Sequence, residues 1–140
     1  RRLLDQSHER WGAVWHINCH SMQNHASAMS TQPKGTLRPD FVLGDRDGTT
    51  ADSEFTDTVA KFLCSLGYQV SINDPYKGVE LIRANGNPAH NRHSIQVEVN
   101  RRLYMDEINR EPNLDFDTLQ QTFTSLSQHI AGYIHTKLQG

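Results

Sequence analysis

The histidines of residues 13–20 are the first candidates for chemistry. Apolar and polar side chains alternate along this segment, which predicts a β-strand with His16, Asn18 and His20 on one face. Imidazole is a good zinc ligand, but zinc takes three or four ligands. On a strand His16 and His20 lie about 13 Å apart, too far for one ion. His20, at the strand end, is the better ligand candidate. From the spacing alone, however, the favoured interpretation is that both are ordinary core or surface histidines that bind no metal.

The second candidate is Glu98, within residues 93–107. β-Branched apolar residues alternate there with polar ones, which predicts a strand with one face in a core and a carboxylate between two amides on the other. A carboxylate beside a metal-bound water is the arrangement that general-base hydrolysis uses. The alternative is a solvated glutamate paired with Arg101 or Arg102, and the strand alone favours that interpretation.

Candidate substrate-binding residues lie in a turn and beyond it. Tyr76 and Lys77 belong to a turn-forming sequence that starts at Asn73 and ends at a glycine. Arg83 and Arg101 could each bind a carboxylate through two parallel N–H groups. These five residues are our candidates for binding an anionic substrate. Exposed charge on an ordinary turn is the alternative, and the turn alone favours it.

Alternating helices and strands must position these side chains. Helical spacing, strand alternation, capping residues and glycine stops predict the following elements in chain order: helix 1–11, strand 13–20, strand 41–43, helix 52–66, strand 68–72, a short strand or helical turn at 79–83, a turn at 85–88, strand 95–100 and a helix from about 115 to 137. This alternation predicts an α/β layered domain. The polar segment 21–39 has no period and is predicted to be a long, functional or mobile loop.

Length and composition restrict the class of protein. A chain of 140 residues fits one domain. A net charge of −2 argues against nucleic-acid binding, because no basic excess is present to neutralise phosphates. No apolar run is long enough for a membrane span, and residues 1–5 lack the apolar core of a signal peptide. The two cysteines, Cys19 and Cys64, are predicted to be buried thiols of a cytoplasmic protein.

Three separated segments, with a fourth between them, carry a resemblance to a known family. They are Ile17-Asn-Cys-His-Ser-Met22, Asn73-Asp-Pro-Tyr-Lys-Gly78 and Gln96-Val-Glu-Val-Asn-Arg-Arg-Leu-Tyr-Met-Asp-Glu107, with Leu43-Gly-Asp-Arg-Asp-Gly-Thr-Thr50 as the fourth. In order and spacing they resemble the N-formylglutamate amidohydrolase (N-formylglutamate deformylase) family, from about Val14 to the C-terminal helix.

The resemblance implies a fold and an activity. The fold is a three-layer α/β/α domain with a mixed sheet, similar to zinc carboxypeptidases and aspartoacylase-like hydrolases, with residues 1–140 as the C-terminal part of one domain. The activity is zinc-dependent hydrolysis of N-formyl-L-glutamate to formate and glutamate, in histidine breakdown. His20 corresponds to a metal ligand and Glu98 to the catalytic carboxylate. Lys77, Arg83 and Arg101 are the cations expected to bind the two carboxylates of this small-molecule substrate.

Two departures from the family pattern qualify this expectation. Asn18 stands where the family has aspartate, which would weaken the orientation of the histidine. The first metal ligands of the family lie in an upstream segment that nothing here matches. The chain is therefore expected to bind zinc poorly and to be inactive by itself. A hydrolase of another N-acyl amino acid and a non-catalytic binding module are the alternatives. Asn18 and the unmatched upstream ligands favour the binding module, whereas His20 and Glu98 argue against it. The leading hypothesis needs His20 and Glu98 on the same face of the sheet.

Overall fold

A computed structural model describes residues 1–139 of the chain. Its helices and strands are α1 (Arg2–Trp11), β1 (Val14–Met22), β2 (Phe41–Gly44), α2 (Ser53–Ser65), β3 (Val70–Ile72), α3 (Glu80–Asn85), β4 (Arg92–Asn100) and α4 (Phe116–Gln139). The order follows the predicted alternation. The ambiguous segment 79–83 belongs to a helix, and Asn85, predicted to begin a turn, is that helix's last residue.

The four strands form one mixed sheet in the order β1-β4-β2-β3. β1 runs parallel to β4, and β2 runs parallel to β3 and antiparallel to β4. β4 therefore lies inside the sheet, and eight of its nine residues, 93–100, are buried. The predicted α/β class with a mixed sheet is confirmed.

One face of the sheet carries the apolar core. Ile95, Val97 and Val99 of β4 pack there with Phe41 and Leu43 of β2 against helices α2 and α4. Helix α4 supplies its side of the core, with Leu119, Leu126 and Ile130 buried. Near the end of this helix Leu138 is 43% exposed.

The opposite face of β4 is polar but buried. Gln96, Glu98 and Asn100 are all buried, because α3, the loop before it and the segment between β1 and β2 lie against this face of β4. Val79, which precedes α3, donates its backbone N–H to Oε1 of Gln96 at 3.0 Å. The interpretation of this face as a solvated edge is therefore wrong. A short helix and loops cover this face of β4.

Two further expectations concern cysteines and membranes. Cys19 and Cys64 are both free and exposed, so the prediction of buried thiols is wrong. Cys19 belongs to β1, which has a paired neighbour on one side only within the described sheet, and this position leaves its side chain open. No helix of residues 1–139 is long and apolar enough to cross a membrane.

Candidate active site

The parallel register of β1 and β4 places His20 directly beside Glu98. His20 Nδ1 lies 3.6 Å from Glu98 Oε1. Both residues are two positions from the C-terminal ends of their strands, the edge at which ligands bind in open α/β sheets. The two side chains therefore share a face and an edge, as the leading hypothesis required.

Glu98 is buried and held by a neighbouring amide. Gln96 Nε2 donates to Glu98 Oε1 at 2.7 Å, since residues two apart on a strand share a face. Burial raises the pKa of Glu98 above the ordinary value of glutamate; the charge of His20, the Gln96 hydrogen bond and the charges of Arg38 and Arg101 oppose that rise. A carboxylate whose pKa is raised is a stronger base, which suits proton transfer from water.

Asn18 contacts the other side of the histidine ring. Its Nδ2 lies 3.0 Å from His20 Nε2 and 3.5 Å from Gln96 Oε1. With the amide nitrogen as donor, Nε2 accepts and Nδ1 carries the ring hydrogen towards Glu98. Asn18 thus orients the imidazole, although an aspartate at this position would favour the opposite tautomer.

The described residues do not by themselves form a zinc site. Residues 1–139 contain no group of three or more histidine, cysteine, aspartate or glutamate side chains that could hold a metal ion. A zinc site has four protein ligands, or three protein ligands and a water. His20 can supply one imidazole, so any metal bound here needs further ligands from outside these residues.

Arg101 links this pair to a cavity of about 500 Å³. The cavity is lined by Gln23, His25, Arg101, Met105, Glu107 and Arg110. Arg101 Nε donates to the hydroxyl of Ser21, next to His20, at 3.2 Å. Because β4 ends at Asn100, Arg101 leaves the sheet beside Glu98 and reaches the cavity. This is the one predicted substrate-binding cation that the structure brings to the pair.

The other two predicted cations lie in surface ion pairs. Lys77 Nζ is 2.7 Å from Asp47 Oδ2, and Arg83 binds both carboxylate oxygens of Glu80 at 2.6 and 2.7 Å. All four side chains are more than half exposed. Each cation therefore has a partner from the chain itself.

Asn73 and Tyr76 hold local structure. Asn73 accepts from the backbone N–H of Asp45 at 3.0 Å and donates to Asp45 Oδ1 at 2.7 Å. Its loop lies tightly against β2, since a Cβ on Gly44 would be 2.7 Å from the carbonyl carbon of Lys77. Tyr76 presents its ring to Arg38, whose Cζ is 5.1 Å from the ring centroid.

Arg38 and Gln96 are the contributors that sequence reasoning missed. Arg38 is only 4% exposed, and its charge acts on Glu98. It lies in the loop without periodicity, where no pattern distinguishes a buried arginine from a solvated one. Its position three residues before a fully buried strand was the available signal. Gln96 was recognised as polar but not as the donor to Glu98.

His16 occupies the other end of the same polar face. Its Nδ1 lies 2.8 Å from the hydroxyl of Ser94, its partner in the strand register. Burial lowers the pKa of His16, which keeps the ring neutral near pH 7. The nearest partners of His16 therefore differ from those of His20.

Comparison with known proteins identifies the family. Residues 1–105 match the model of the N-formylglutamate amidohydrolase family, and the chain belongs to that family. It is 31% identical over 109 residues to an N-formylglutamate deformylase of Pseudomonas putida, covering 76% of this chain and 39% of that protein. A Pseudomonas aeruginosa N-formylglutamate deformylase is 31% identical over 98 residues, 69% of this chain and 35% of that protein. The chain thus spans less than half the length of these relatives.

Solved structures agree on the fold. The crystal structure of an N-formylglutamate amidohydrolase from Ralstonia eutropha superposes with a TM-score of 0.89 at 47% identity, over 95% of this chain and 48% of that one. A bacteriophage poly-γ-glutamate hydrolase superposes with a TM-score of 0.52 at 13% identity, over 86% of this chain and 53% of that one. The second similarity concerns the fold alone.

Proposed function

We propose that this chain supplies the catalytic carboxylate and one metal ligand of a zinc-dependent amidohydrolase that cleaves N-formyl-L-glutamate to formate and L-glutamate. The observation that carries the proposal is the His20–Glu98 pair, 3.6 Å apart on one face at the C-terminal edge of the sheet. The names of the relatives supply the substrate. A cytoplasmic location and a place in histidine breakdown remain predictions, as does the similarity in fold to zinc carboxypeptidases.

In this proposal Glu98 is the general base. It takes a proton from the water that attacks the formyl carbon and can return it to the departing amine. Gln96 fixes one of its oxygens, so the other remains for the water. Burial keeps the pKa of Glu98 raised, which strengthens its basicity without needing a second carboxylate.

His20 is the proposed zinc ligand. When bound, zinc lowers the pKa of a coordinated water and polarises the amide carbonyl. The described part of the chain offers too few ligands for this metal, so the remaining ligands would have to come from outside these residues. Zinc needs a free lone pair on the ring of His20, so either the hydrogen bond from Asn18 to Nε2 or the hydrogen on Nδ1 would be given up on binding.

Arg101 is the proposed substrate-binding cation of this site. Its side chain lines the cavity and its charge acts on Glu98, and a carboxylate of the substrate could accept from its guanidinium through two parallel bonds. Lys77, Arg83, Asn73 and Tyr76 remain predictions for substrate binding. Their contacts with Asp47, Glu80, Asp45 and Arg38 give each of them a structural role as well.

Formate release from N-formyl-L-glutamate tests the proposal directly. The complete polypeptide encoded by the gene would be assayed with added zinc, beside N-acetyl-L-glutamate and N-formyl-L-leucine. We expect clear preference for N-formyl-L-glutamate. Preference for another N-acyl amino acid would favour the alternative hydrolase, and binding without turnover of any substrate would favour the non-catalytic module.

A second assay tests the 140-residue chain by itself. We expect weak zinc binding and no turnover, because the described residues include no three-ligand group. Stoichiometric zinc binding or clear formate release by this chain would contradict that expectation.

A further inference from the structure

Arg38 is a buried cation with incomplete hydrogen bonding. Its Nη1 donates to the backbone oxygen of Gln23 and its Nη2 to the hydroxyl of Ser30, both at 3.3 Å. Its Nε has no hydrogen-bond partner among residues 1–139. Two long bonds to neutral oxygens leave the charge uncompensated, and burying such a charge without an anionic partner is costly.

Two other arginines of the chain have carboxylate partners. Arg92 is 2.7 Å from Asp5, and Arg102 binds Asp40. Arg38 forms no ion pair within the described residues, although it is the most buried arginine of the chain. An arginine cannot lose its charge in a protein. Arg38 therefore has hydrogen-bond donors left for an anion from outside the described residues.

The contacts of Arg38 connect it to the candidate active site. Asn100, two residues after Glu98 on the same face of β4, donates its side-chain amide to the backbone oxygen of Arg38 at 3.2 Å. Gln23, which accepts from the guanidinium, also lines the cavity that Arg101 enters. The ring of Tyr76 lies against the guanidinium, a contact that fixes its plane.

We propose that Arg38 binds one of the two carboxylates of the substrate, while Arg101 binds the other. The inference rests on the proposed function, because a dicarboxylate substrate requires two cations beside the scissile amide. Tyr76 acts through Arg38 as a positioning residue. Arg38 is preorganised by burial and stacking, which suits it to specificity, whereas Arg101 is more accessible.

A second interpretation is that Arg38 acts only on Glu98. Its charge opposes the rise in the pKa of that carboxylate, so its loss would change catalysis with every substrate alike. Substrates that lack one carboxylate separate the two interpretations. N-formyl-L-norvaline lacks the side-chain carboxylate of N-formyl-L-glutamate, and N-formyl-4-aminobutanoate lacks the α-carboxylate.

The experiment measures kcat/KM of the complete polypeptide and its Arg38→Met variant with all three substrates. With N-formyl-L-glutamate we expect a loss of roughly 10- to 150-fold, the range for hydrogen bonds to charged groups. With one of the truncated substrates we expect almost no loss, which would identify the carboxylate that Arg38 binds. Equal losses with all three substrates would overturn the proposal.

Controls address folding and the proposed function separately. Arg38→Lys should retain part of the activity lost in Arg38→Met, and Arg10→Met, at an exposed arginine of α1, should match the wild type. If the wild type releases no formate, the proposed function fails, and calorimetric titration with N-formyl-L-glutamate then decides the role of Arg38. Weaker binding by folded Arg38→Met supports the inference; equal binding, or none by the wild type, overturns it.

Discussion

Two ends of one polar face contain a histidine from β1 beside a polar residue from β4, yet the two pairs differ. At the N-terminal end His16 is hydrogen-bonded to Ser94, and burial lowers its pKa. At the C-terminal end His20 lies beside the carboxylate of Glu98, with the charges of Arg38 and Arg101 close enough to act on that group.

The difference follows from what each strand end adjoins. The C-terminal ends of β1 and β4 lead into residues 23–40 and 101–112, which deliver Arg38, Arg101 and a cavity to one edge of the sheet. The N-terminal ends adjoin helix α1 and the turn before β4, where Arg92 pairs with Asp5. The same residue type is thus structural at one end and a candidate ligand at the other.

Replacing each histidine in turn should show the largest contrast. We expect His20→Ala to lose its bound zinc and to lower kcat/KM of the complete polypeptide by more than about 10³-fold, because metal catalysis supplies several kcal/mol. His16→Ala should leave kcat/KM near the wild-type value. Zinc analysis beside formate release checks both, and comparable losses from the two variants would remove the distinction between the ends.

Arg101→Met should have a smaller effect than His20→Ala. Loss of a charged hydrogen bond to the substrate should lower kcat/KM for N-formyl-L-glutamate by roughly 10- to 100-fold. This loss should appear mainly as a higher KM, since the guanidinium binds the substrate and not the reacting atoms. Steady-state kinetics measures the separation of KM from kcat, and an unchanged KM would place the substrate elsewhere.

A pH experiment tests the structural role of His16. Its folded-state pKa is lowered from 6.5, so the unfolded chain takes up a proton first as the pH falls. The neutral His16 ring therefore contributes to the free energy of unfolding above pH 6.5. This contribution should be lost as the pH falls below that value. His16→Asn, which can still bind Ser94, should weaken that loss. Urea unfolding at about pH 7.5 and about pH 5.5 measures the free energy of unfolding of both proteins. The same pH dependence in His16→Asn and the wild type would contradict the lowered pKa of His16.

Arg83→Met should have the smallest effect. Its guanidinium is paired with Glu80 on the exposed side of α3, so we expect kcat/KM to change by less than about threefold, in keeping with the small contribution of surface ion pairs. Kinetics with N-formyl-L-glutamate measures it. A loss as large as that of Arg101→Met would bring Arg83 into the substrate site and confirm its predicted role.

The elements were predictable from sequence because alternation and helical spacing are local. Both site strands and helices α1, α2 and α4 follow directly from such patterns. The register that sets His20 opposite Glu98 could not be derived in this way, because pairing depends on the whole sheet. The resemblance to the family indicated both residues, but only the folded sheet places them 3.6 Å apart.

Cations were the least predictable part of the site. Residue type alone made Lys77 and Arg83 equal candidates with Arg101, although Asp47 and Glu80 engage the first two. The Glu80–Arg83 pair, three residues apart, would have been recognisable had the segment been assigned as a helix. Arg38 was hidden because burial of a loop residue depends on contacts distant in sequence.

Turnover by Glu98→Gln is the most direct test of the catalytic carboxylate. The complete polypeptide with this substitution would be assayed for formate release at saturating N-formyl-L-glutamate, with its zinc content measured in the same sample. We predict wild-type zinc content and a fall in kcat of about 10²- to 10⁴-fold, the contribution of a general base. A zinc-loaded variant whose kcat stays within about threefold of the wild type would contradict Glu98 as the base.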